Sequence, residues 1–285
     1  MKLAAVVTVY HPDEKVLGNI QTYAAAVESV FVMDNTEHEN TAFAWQVSEI
    51  TNVRYHKFEE NMGIALRLNQ ACEMAQKIGC DWILTMDQDS SFSENEFIRY
   101  KALATSYFAK NANTGIFAVN FQPEITPKVA GPQKILSTIT SGSIVNLKAH
   151  EKIGGYDEKL FIDLVDAEFC YRLNSYGYDA IMFADIVLNH MLGQFVAGRS
   201  LKNLKISNRR IHSPIRIYYI TRNSLWLLKN GNLSPRAKQE IKTCLSLLKN
   251  NFLYHPQKGK VYGFFLQGVM DAYKNKLGKY IQNKR

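Results

Sequence analysis

Ile83-Leu84-Thr85-Met86-Asp87-Gln88-Asp89-Ser90-Ser91 passes from a short apolar run into two carboxylates that stand one residue apart. The apolar run predicts a buried strand, and strand alternation places Asp87 and Asp89 on the same side of it. Two carboxylates at the carboxyl end of a strand suit a hard divalent cation that is bound to a diphosphate. Open α/β sheets also bind ligands just beyond these ends. The competing explanation is a polar turn, because Asp and Ser are ordinary turn residues.

Strands and helices alternate before this stretch. Strands are predicted over residues 3–9, 27–33 and 53–58, and helices over 13–26, 40–50 and 63–78. This alternation predicts a parallel sheet covered by helices. Since the carboxyl ends of parallel strands meet at one edge, the polar residues after each strand are expected there. They are Thr8 and Tyr10, Asp34 and Asn35, Asn61 and Gly63, and Asp87 and Asp89.

The pattern changes after residue 91 and becomes wholly helical from Pro214 onward. A helix is predicted over 94–109, a strand over 115–120 and a loop over 121–132. Further predictions are a β-rich run over 135–147 that is broken at 140–143, a turn at 154–158, a helix over 164–176, short strands over 178–183 and 186–190, and an irregular stretch over 192–208. The last helices are predicted over 214–230, 234–254 and 258–281. The breaks at residues 230–232 and 255–256 set their limits.

Composition narrows the class of protein. The chain has 285 residues, of which 46% are hydrophobic, and this suits a globular protein with a substantial core. No apolar run is long enough for a spanning helix, and Met1–Val7 is interpreted as a first strand and not as a signal peptide. Four cysteines without CxxC spacing are interpreted as reduced thiols of a cytoplasmic protein.

Charge is distributed unevenly along the chain. Residues 1–198 contain 15 Lys/Arg and 24 Asp/Glu, a net of −9, whereas residues 199–285 contain 19 and 2, a net of +17. The acidic part is suited to a cation, and the basic part is suited to an anionic partner such as a phosphate, an anionic lipid or a nucleic acid. Basic helices with aromatic residues also lie in membrane interfaces, and packing of those aromatics on the sheet is the alternative.

A second acidic cluster lies in Asp163-Leu164-Val165-Asp166-Ala167-Glu168. Carboxylates at a helix start cap the helix and complement its dipole, but one of them is also suited to act as a general base. His190 follows a strand, where it is either structural or the completion of a cation site. Asn61-Met62-Gly63 opens a helix whose N-terminus favours an anion, and it matches neither a GxGxxG nor a P-loop motif.

In order and spacing these motifs resemble the inverting family 2 glycosyltransferases of the GT-A fold, most closely the bacterial rhamnosyltransferases of polysaccharide and O-antigen assembly. The matching pieces cover about residues 5–195. They are Val7–Tyr10, Met33–Asn35, Asn61–Ala65 with Asn69, Asp87–Ser90, Thr140–Ser143, Gly154–Glu158, Asp163–Arg172 and His190–Gly193.

The resemblance implies a GT-A mixed α/β sheet flanked by helices, with a helical C-terminal extension. It implies a catalytic domain over 1–213, with a nucleotide half of about 1–110 and an acceptor half of about 111–213. A basic extension over 214–285 would follow. The donor would be a nucleotide sugar, preferably dTDP-L-rhamnose, with a UDP-hexose or UDP-galactofuranose as alternatives. The acceptor would be a glycan or a lipid-linked glycan.

The resemblance also assigns residues. Thr8, Tyr10, Asp34 and Asn35 would border the nucleobase and ribose, and Asn61 and Gly63 would shape the nucleotide pocket. Asp87-Gln88-Asp89 matches the family's DxD motif, with Asp89 as the direct ligand of Mg²⁺ or Mn²⁺, Asp87 nearer the ribose, and His190 near the metal. Asp166 matches the catalytic base, six residues before Arg172. The residue before it is Val165 where the family has Glu, so Asp163 is kept as a second candidate. Ser141, Gly142, Gly155 and Tyr156 would shape the acceptor side.

Two other function classes account for parts of the sequence. A glycoside hydrolase would use a carboxylate pair and would stay active without a metal ion. A non-catalytic nucleic-acid-binding protein is suggested by the sequence pI of about 9.1, but the acidic first 198 residues oppose it and no nucleic-acid motif is present. The prediction is therefore a metal-dependent transferase in the cytoplasm, with peripheral association of the basic helices with the membrane as a further hypothesis.

Overall fold

The computed structural model describes residues 1–38, 40–122, 131–190, 194–199 and 206–281. The chain divides into two compact units. The sheet unit comprises Met1–Glu158 and Val165–Met191, and the helical unit comprises Lys159–Leu164 and Leu192–Arg285. Most of the predicted 121–132 loop, part of the 192–208 stretch and residues 191–193 lie outside the described residues. The division of the chain at residue 213 stays a prediction.

The sheet unit is built on a mixed sheet that has nine strands within the described residues. They are β1 (Leu3–Val9), β2 (Val30–Asp34), β3 (Val53–Lys57), β4 (Trp82–Asp87), β5 (Ser91–Phe92), β6 (Thr114–Asn120), β7 (Pro132–Ile135), β8 (Ser143–Asn146) and β9 (Asp179–Asn189). Their order is β3-β2-β1-β4-β8-β6-β9-β5, and β7 also pairs with β9. The first four are parallel, whereas β8 runs antiparallel to both β4 and β6. The predicted α/β class is confirmed.

Helices cover this sheet. They are α1 (Lys15–Ala24), α2 (Thr41–Ser48), α3 (Ile64–Lys77), α4 (Glu96–Phe108), α5 (Leu147–Ile153) and α6 (Val165–Ser175). β1 is apolar at almost every position and nearly all of it is buried, as expected for a central strand covered on both faces. Each fully buried Val or Leu contributes about 1.5–3 kcal/mol relative to an exposed side chain. This core fixes where the carboxyl ends of the strands lie.

Two elements of the sheet unit differ from the sequence prediction. The strands predicted over 178–183 and 186–190 are one strand, β9, whose pairing with β6 shifts register between Val119 and Asn120. A β-bulge of this kind interrupts the apolar pattern without ending the strand. The predicted β-rich run over 135–147 also ends earlier, because the Asn146 side chain accepts hydrogen bonds from Lys148 N and Ala149 N and starts α5.

The helical unit contains a hairpin and four helices within the described residues. They are β10 (Gln194–Arg199), β11 (Ile206–Ile211), α7 (Pro214–Asn230), α8 (Pro235–Leu247), α9 (Lys249–Tyr254) and α10 (Lys258–Tyr273). α7 and α10 approach closely at Gly268, where an added Cβ would lie 2.7 Å from the Tyr218 carbonyl oxygen. None of the described helices is long and apolar enough to cross a membrane.

Three predictions for the helical unit are corrected. The stretch 192–208, predicted to be irregular, includes strand β10 and the start of β11, which pair antiparallel. The helix predicted over 234–254 divides into α8 and α9 at Leu248. The helix predicted over 258–281 ends at Tyr273, because Asn275 and Gly278 adopt positive φ angles that an α-helix does not accommodate.

Candidate active site

The end of β4 brings the two aspartates of the opening stretch together with His190. One ligand atom from each of Asp87, Asp89 and His190 lies within 4.8 Å of the other two. His190 Nδ1 is 3.2 Å from Asp89 Oδ1 and 2.7 Å from Ser90 Oγ. Two carboxylate oxygens and an imidazole nitrogen are a donor set that divalent Mg²⁺ or Mn²⁺ accepts. The three predicted metal residues are therefore neighbours, although they are 103 positions apart at the extremes.

The charge of Asp89 is supported by its neighbours. Burial opposes ionisation of this carboxyl group, but the hydrogen bond and the attraction from His190, together with the Ser90 hydrogen bond, outweigh burial and lower its pKa. Its side chain is 37% exposed, whereas that of His190 is 11% exposed. Asp89 is therefore ionised at neutral pH and accessible to a cation.

The end of β1 lies beside β4. Thr8 is the register partner of Asp87, and its Oγ1 is buried without a hydrogen-bond partner among the described residues. Gln88 Oε1 accepts a hydrogen bond of 2.7 Å from Tyr10 N, and the Tyr10 side chain is exposed. An unpaired buried hydroxyl costs free energy unless a ligand satisfies it. Contact of Thr8 and Tyr10 with a nucleobase stays a prediction.

The end of β2 is occupied by internal hydrogen bonds. Asp34 is fully buried, and its oxygens accept from Tyr55 Oη at 2.6 Å and Thr36 N at 2.8 Å. Asn35 Oδ1 accepts from Arg67 Nε at 2.6 Å. These contacts show that Asp34 and Asn35 hold the strand ends in place, and contact of either side chain with the nucleotide stays a prediction.

The start of α3 is uncapped by side chains. Gly63 precedes the helix with φ of 87° and ψ of 174°, and the first turn contains no acidic residue. Asn61 Oδ1 accepts from Gly63 N at 3.0 Å, and Asn35 Nδ2 donates to Gly63 O at 3.2 Å. Such a helix N-terminus attracts anions through its free N–H groups. Asn61 and Gly63 thus shape the backbone here, and their place in a nucleotide pocket stays a prediction.

The loop before β8 joins the metal cluster to the predicted base. Ser141 Oγ accepts from Asp87 N at 3.2 Å, and Thr140 N donates to Asp166 Oδ2 at 3.3 Å. Gly142 has φ of 76°, and an added Cβ would lie 2.6 Å from a methyl carbon of Val119. Two consecutive residues of one loop therefore contact Asp87 and Asp166, which makes Ser141 a support of the candidate metal site, and its place on the acceptor side stays a prediction.

Asn69 organises the turn that holds Gly155 and Tyr156. Its Oδ1 accepts from Tyr156 N at 2.8 Å and lies 3.0 Å from His150 Nε2, and its Nδ2 donates to Tyr156 O at 3.0 Å. Gly155 has φ of 74°, and a Cβ there would lie 2.8 Å from Asn69 Oδ1. The buried Tyr156 ring stacks on Phe169 with centroids 4.2 Å apart. Gly155 and Tyr156 are packed residues, so their role on the acceptor side stays a prediction.

Asp163, the second candidate for the base, belongs to the helical unit. Its carboxylate accepts hydrogen bonds of 2.9 and 3.0 Å from Arg216 Nε, and its side chain is 8% exposed. The arginine therefore occupies both oxygens of this carboxylate. The oxygens of Asp166 accept from the backbone N–H groups of Thr140 and Ala167 at a helix start.

Two residues of the site were not singled out from the sequence. Ser90 joins Asp89 to His190, and Arg67 holds Asn35 and the Glu60 carbonyl while its guanidinium lies 3.5 Å from the centroid of the Phe58 ring. Arg67 stands on the apolar face of α3, four positions after Gly63. A charged residue at a core position of a helix was the signal that could have found it.

Known protein structures are similar to this chain in fold. No protein-family model matches the chain. Among solved structures, S. aureus TarS aligns with a TM-score of 0.58 and 13% identity over 96% of this chain, which spans only 49% of that structure. A structure of TarS residues 1–349 in complex with UDP-GlcNAc aligns at 0.56, with 12% identity over 96% of this chain and 81% of that one. GalNAc-T7 with UDP, GalNAc and Mn²⁺ aligns at 0.54, with 8% identity over 97% and 58%.

One relative is more similar in sequence than these solved structures are. The dTDP-rhamnosyl transferase RfbF of Shigella flexneri is 30% identical over 280 residues, which cover 90% of each chain. The alignment covers 90% of both chains, and the solved structures share the GT-A fold. The chain therefore belongs to the GT-A nucleotide-sugar glycosyltransferases, in the family of the Shigella dTDP-rhamnosyl transferase.

Proposed function

We propose that this protein is an inverting transferase that moves L-rhamnose from dTDP-L-rhamnose to a hydroxyl group of a glycan or lipid-linked glycan. The observation that carries the donor assignment is the 30% identity to a dTDP-rhamnosyl transferase over 90% of both chains. The solved structures, at 8–13% identity, support the fold alone. A UDP-hexose or UDP-galactofuranose is the alternative donor.

The metal site of this proposal consists of Asp87, Asp89 and His190, whose donor atoms fit Mg²⁺ or Mn²⁺. A cation bound there would neutralise the charge of the leaving nucleoside diphosphate. Ser90 holds His190 through Nδ1, and Ser141 holds the Asp87 backbone, so both residues orient the ligands. The unpaired Thr8 hydroxyl would bind the nucleotide beside them.

Asp166 is the proposed general base. Its carboxylate is fixed by Thr140 N and Ala167 N at the first turn of α6, and a negative charge is favoured at a helix N-terminus. It would accept the proton of the acceptor hydroxyl as that oxygen attacks the anomeric carbon from the face opposite the nucleotide. In-line attack inverts the configuration, and alignment of the two reactants supplies much of the rate.

A thermal-shift screen tests the donor. A ligand that binds only the folded chain raises the unfolding midpoint with its saturation. With Mn²⁺ present, dTDP-L-rhamnose should raise the midpoint more than UDP-GlcNAc, UDP-galactose or UDP-galactofuranose at equal concentration. A larger rise with a UDP-sugar would replace the donor assignment and leave the family assignment untouched.

Asp166→Asn tests the base, with Asp163→Asn as its matched control. Asp166→Asn should keep the donor-induced midpoint shift and lose on the order of 10²–10⁴-fold in transfer rate, because only proton removal is impaired. Asp163→Asn should keep most of the rate in a chain that remains folded. The reverse pattern would make Asp163 the base.

A further inference from the structure

One face of α10 has an unusual composition. Its exposed positions include Tyr262, Leu266, Met270 and Tyr273, whose exposed fractions are 50%, 59%, 47% and 65%. Gly259 and Gly263 lie on the same face, and for neither does the described part of the chain place a heavy atom of another element within 4 Å of an added Cβ. At 100° per residue, these six positions fall within about 100° of the helix circumference and include no charged residue. We call them the α10 stripe.

The opposite face of α10 accounts for its packing inside the helical unit. Val261, Gly268, Asp271 and Ala272 are buried there. Asp271 accepts a hydrogen bond of 2.8 Å from Tyr218 Oη. The α10 stripe is therefore a second apolar face, and within the described residues only Tyr262 among its named side chains also packs on a ring of the helical unit, that of Phe252 with centroids 5.1 Å apart. Exposed apolar patches of this kind mark interaction sites.

Lysines border the α10 stripe. Lys258 and Lys260 lie in the first turn and Lys274 directly after the last, and all three are exposed. On the helix circumference Lys258 flanks one side of the stripe and Lys274 the other. The only acids after residue 198 are Glu240 and the buried Asp271, so no exposed carboxylate of α10 offsets these charges.

A shallow apolar hollow continues the surface beyond Tyr273. It has a volume of about 270 Å³ and is lined by Leu225, Leu228, Lys229, Ala272 and Tyr273. Lys229 Nζ lies 5.8 Å from the centroid of the Tyr273 ring. The hollow thus repeats the composition of the α10 stripe, with apolar side chains and an aromatic ring beside a lysine.

We propose that the α10 stripe is a docking surface for an anionic lipid bilayer, with Leu266 and Met270 entering the acyl boundary, Tyr262 and Tyr273 at headgroup level, and the lysines on lipid phosphates. An apolar face with tyrosines and flanking lysines is the composition of helices that lie in a membrane interface. A second copy of the chain fits less well, because a symmetric contact between two stripes would bring lysines against lysines. The inference does not depend on the donor sugar.

Vesicle sedimentation of the full chain tests the proposal. The protein should sediment with vesicles of phosphatidylcholine and phosphatidylglycerol, less with phosphatidylcholine alone, and less at high salt. Leu266→Glu/Met270→Glu should lower the partition coefficient at least tenfold. The matched control Trp45→Glu/Ile98→Glu changes two exposed apolar residues of the sheet unit by the same charge and should bind like the wild type.

Two further variants separate insertion from simple charge attraction. Lys258→Gln/Lys260→Gln/Lys274→Gln should weaken binding by about fivefold for each lysine. The fluorescence of a Tyr273→Trp variant should be quenched by brominated acyl chains if the stripe enters the bilayer.

The proposal is overturned if the wild type does not bind anionic vesicles at low salt, or if the stripe variant and its control bind equally. It is also overturned if the wild type is a dimer that Leu266→Glu/Met270→Glu converts to a monomer without any vesicle binding. Circular dichroism of each variant shows that it is folded, and transfer to a soluble acceptor should be unchanged, which separates this test from that of the proposed function.

Discussion

Asp89 combines the chemical features expected of a cation ligand at this site. It is accessible, its pKa is lowered by His190, and its oxygen lies near both His190 Nδ1 and Ser90 Oγ. Asp89→Asn keeps the shape of the side chain and removes its charge, so Mn²⁺-dependent donor binding should weaken on the order of tenfold or more. Titration of donor in saturating Mn²⁺ measures this change.

The matched control for Asp89→Asn is Asp185→Asn, which removes an exposed carboxylate that pairs with Arg99 on the sheet unit. This variant should bind the donor with wild-type affinity, because surface ion pairs contribute little and Asp185 is outside the site. Equal donor affinities for Asp89→Asn and Asp185→Asn would remove Asp89 from the metal site.

His150 links stability to pH through burial. Burial, with the nearby charge of Arg172, lowers its pKa to about 4, and Asn69 Oδ1 accepts from its Nε2. The unfolded chain takes up the proton first, near pH 6.5, so the stabilisation is complete above that pH and is lost as pH falls toward 4. Between about pH 7.5 and pH 5, the unfolding free energy of the wild type should fall by about 2 kcal/mol more than that of His150→Gln, because the variant lacks this titrating group.

Urea unfolding of the wild type and His150→Gln at both pH values measures this difference. The quantity that decides is the change with pH and not the stability at either pH, because the substitution has its own packing cost. Parallel pH profiles for the two proteins would show that folding does not lower the pKa of His150.

The sequence predicted those site residues whose chemistry follows from their type and spacing. Asp87, Asp89 and His190 were predicted as one site and the structure brings their donor atoms together. Asp34 and Asn35 were predicted by the same rule, yet Tyr55 Oη and Arg67 Nε occupy their oxygens. Which partner satisfies a polar side chain at a strand end depends on neighbouring strands and helices, and one chain's spacing does not contain that information.

Among the secondary-structure elements, the sequence prediction was wrong where the apolar pattern of the residues did not match their burial. β9 keeps its path through a bulge at the polar break around Asp185, so a single strand resembled two. The hairpin of β10 and β11 has mostly exposed or half-exposed residues on β11, and such strands lack the alternation that identifies a half-buried strand. α5 is short, and its signals were the Asn146 cap and Gly154 with φ of 85° at its end.

The segment Lys159–Leu164 is an element held by side chains of α7. Phe161, Asp163 and Leu164 all have φ near 65°, a conformation that costs about 1–2 kcal/mol for a residue with a Cβ. Asn223 Nδ2 lies 2.8–3.0 Å from the carbonyl oxygens of Leu160, Ile162 and Asp163. The fully buried Arg222 donates to Leu160 O as well. These contacts maintain a strained backbone directly before the helix that carries Asp166 in the sequence.

Asn223→Ala should therefore lower the free energy of unfolding by about 3 kcal/mol, because it removes the hydrogen bonds that the Asn223 amide donates to the Leu160, Ile162 and Asp163 carbonyls. The change is measured from the midpoint of thermal and urea unfolding. Asn232→Ala, at an exposed position with the same change of side chain, should stay within about 0.5 kcal/mol of wild type. Similar losses in the two variants would show that the Asn223 amide does not hold the segment.

The two parts of the chain have net charges of opposite sign. The net of −9 over residues 1–198 includes the candidate metal ligands Asp87 and Asp89, and the net of +17 over residues 199–285 includes the lysines around the α10 stripe. A net charge of +8 alone describes neither part. Because charges farther apart than about 10 Å are largely screened at moderate salt, each ligand responds to the charges near its own site.

Removal of divalent cations should show whether the charges near Asp87 and Asp89 govern donor binding. The diphosphate of a donor would meet the carboxylates of Asp87 and Asp89, and repulsion in EDTA should abolish the donor-induced rise in unfolding midpoint, which Mg²⁺ or Mn²⁺ restores. EDTA should leave the midpoint of the protein without donor unchanged, because His190 and Ser90 already pair with Asp89. If overall charge governed binding, the +8 chain would bind the anionic donor equally with and without EDTA. Activity that continues in EDTA would instead match an enzyme that uses a carboxylate pair without a metal ion, as glycoside hydrolases do. That result would contradict a cation between the aspartates and the diphosphate.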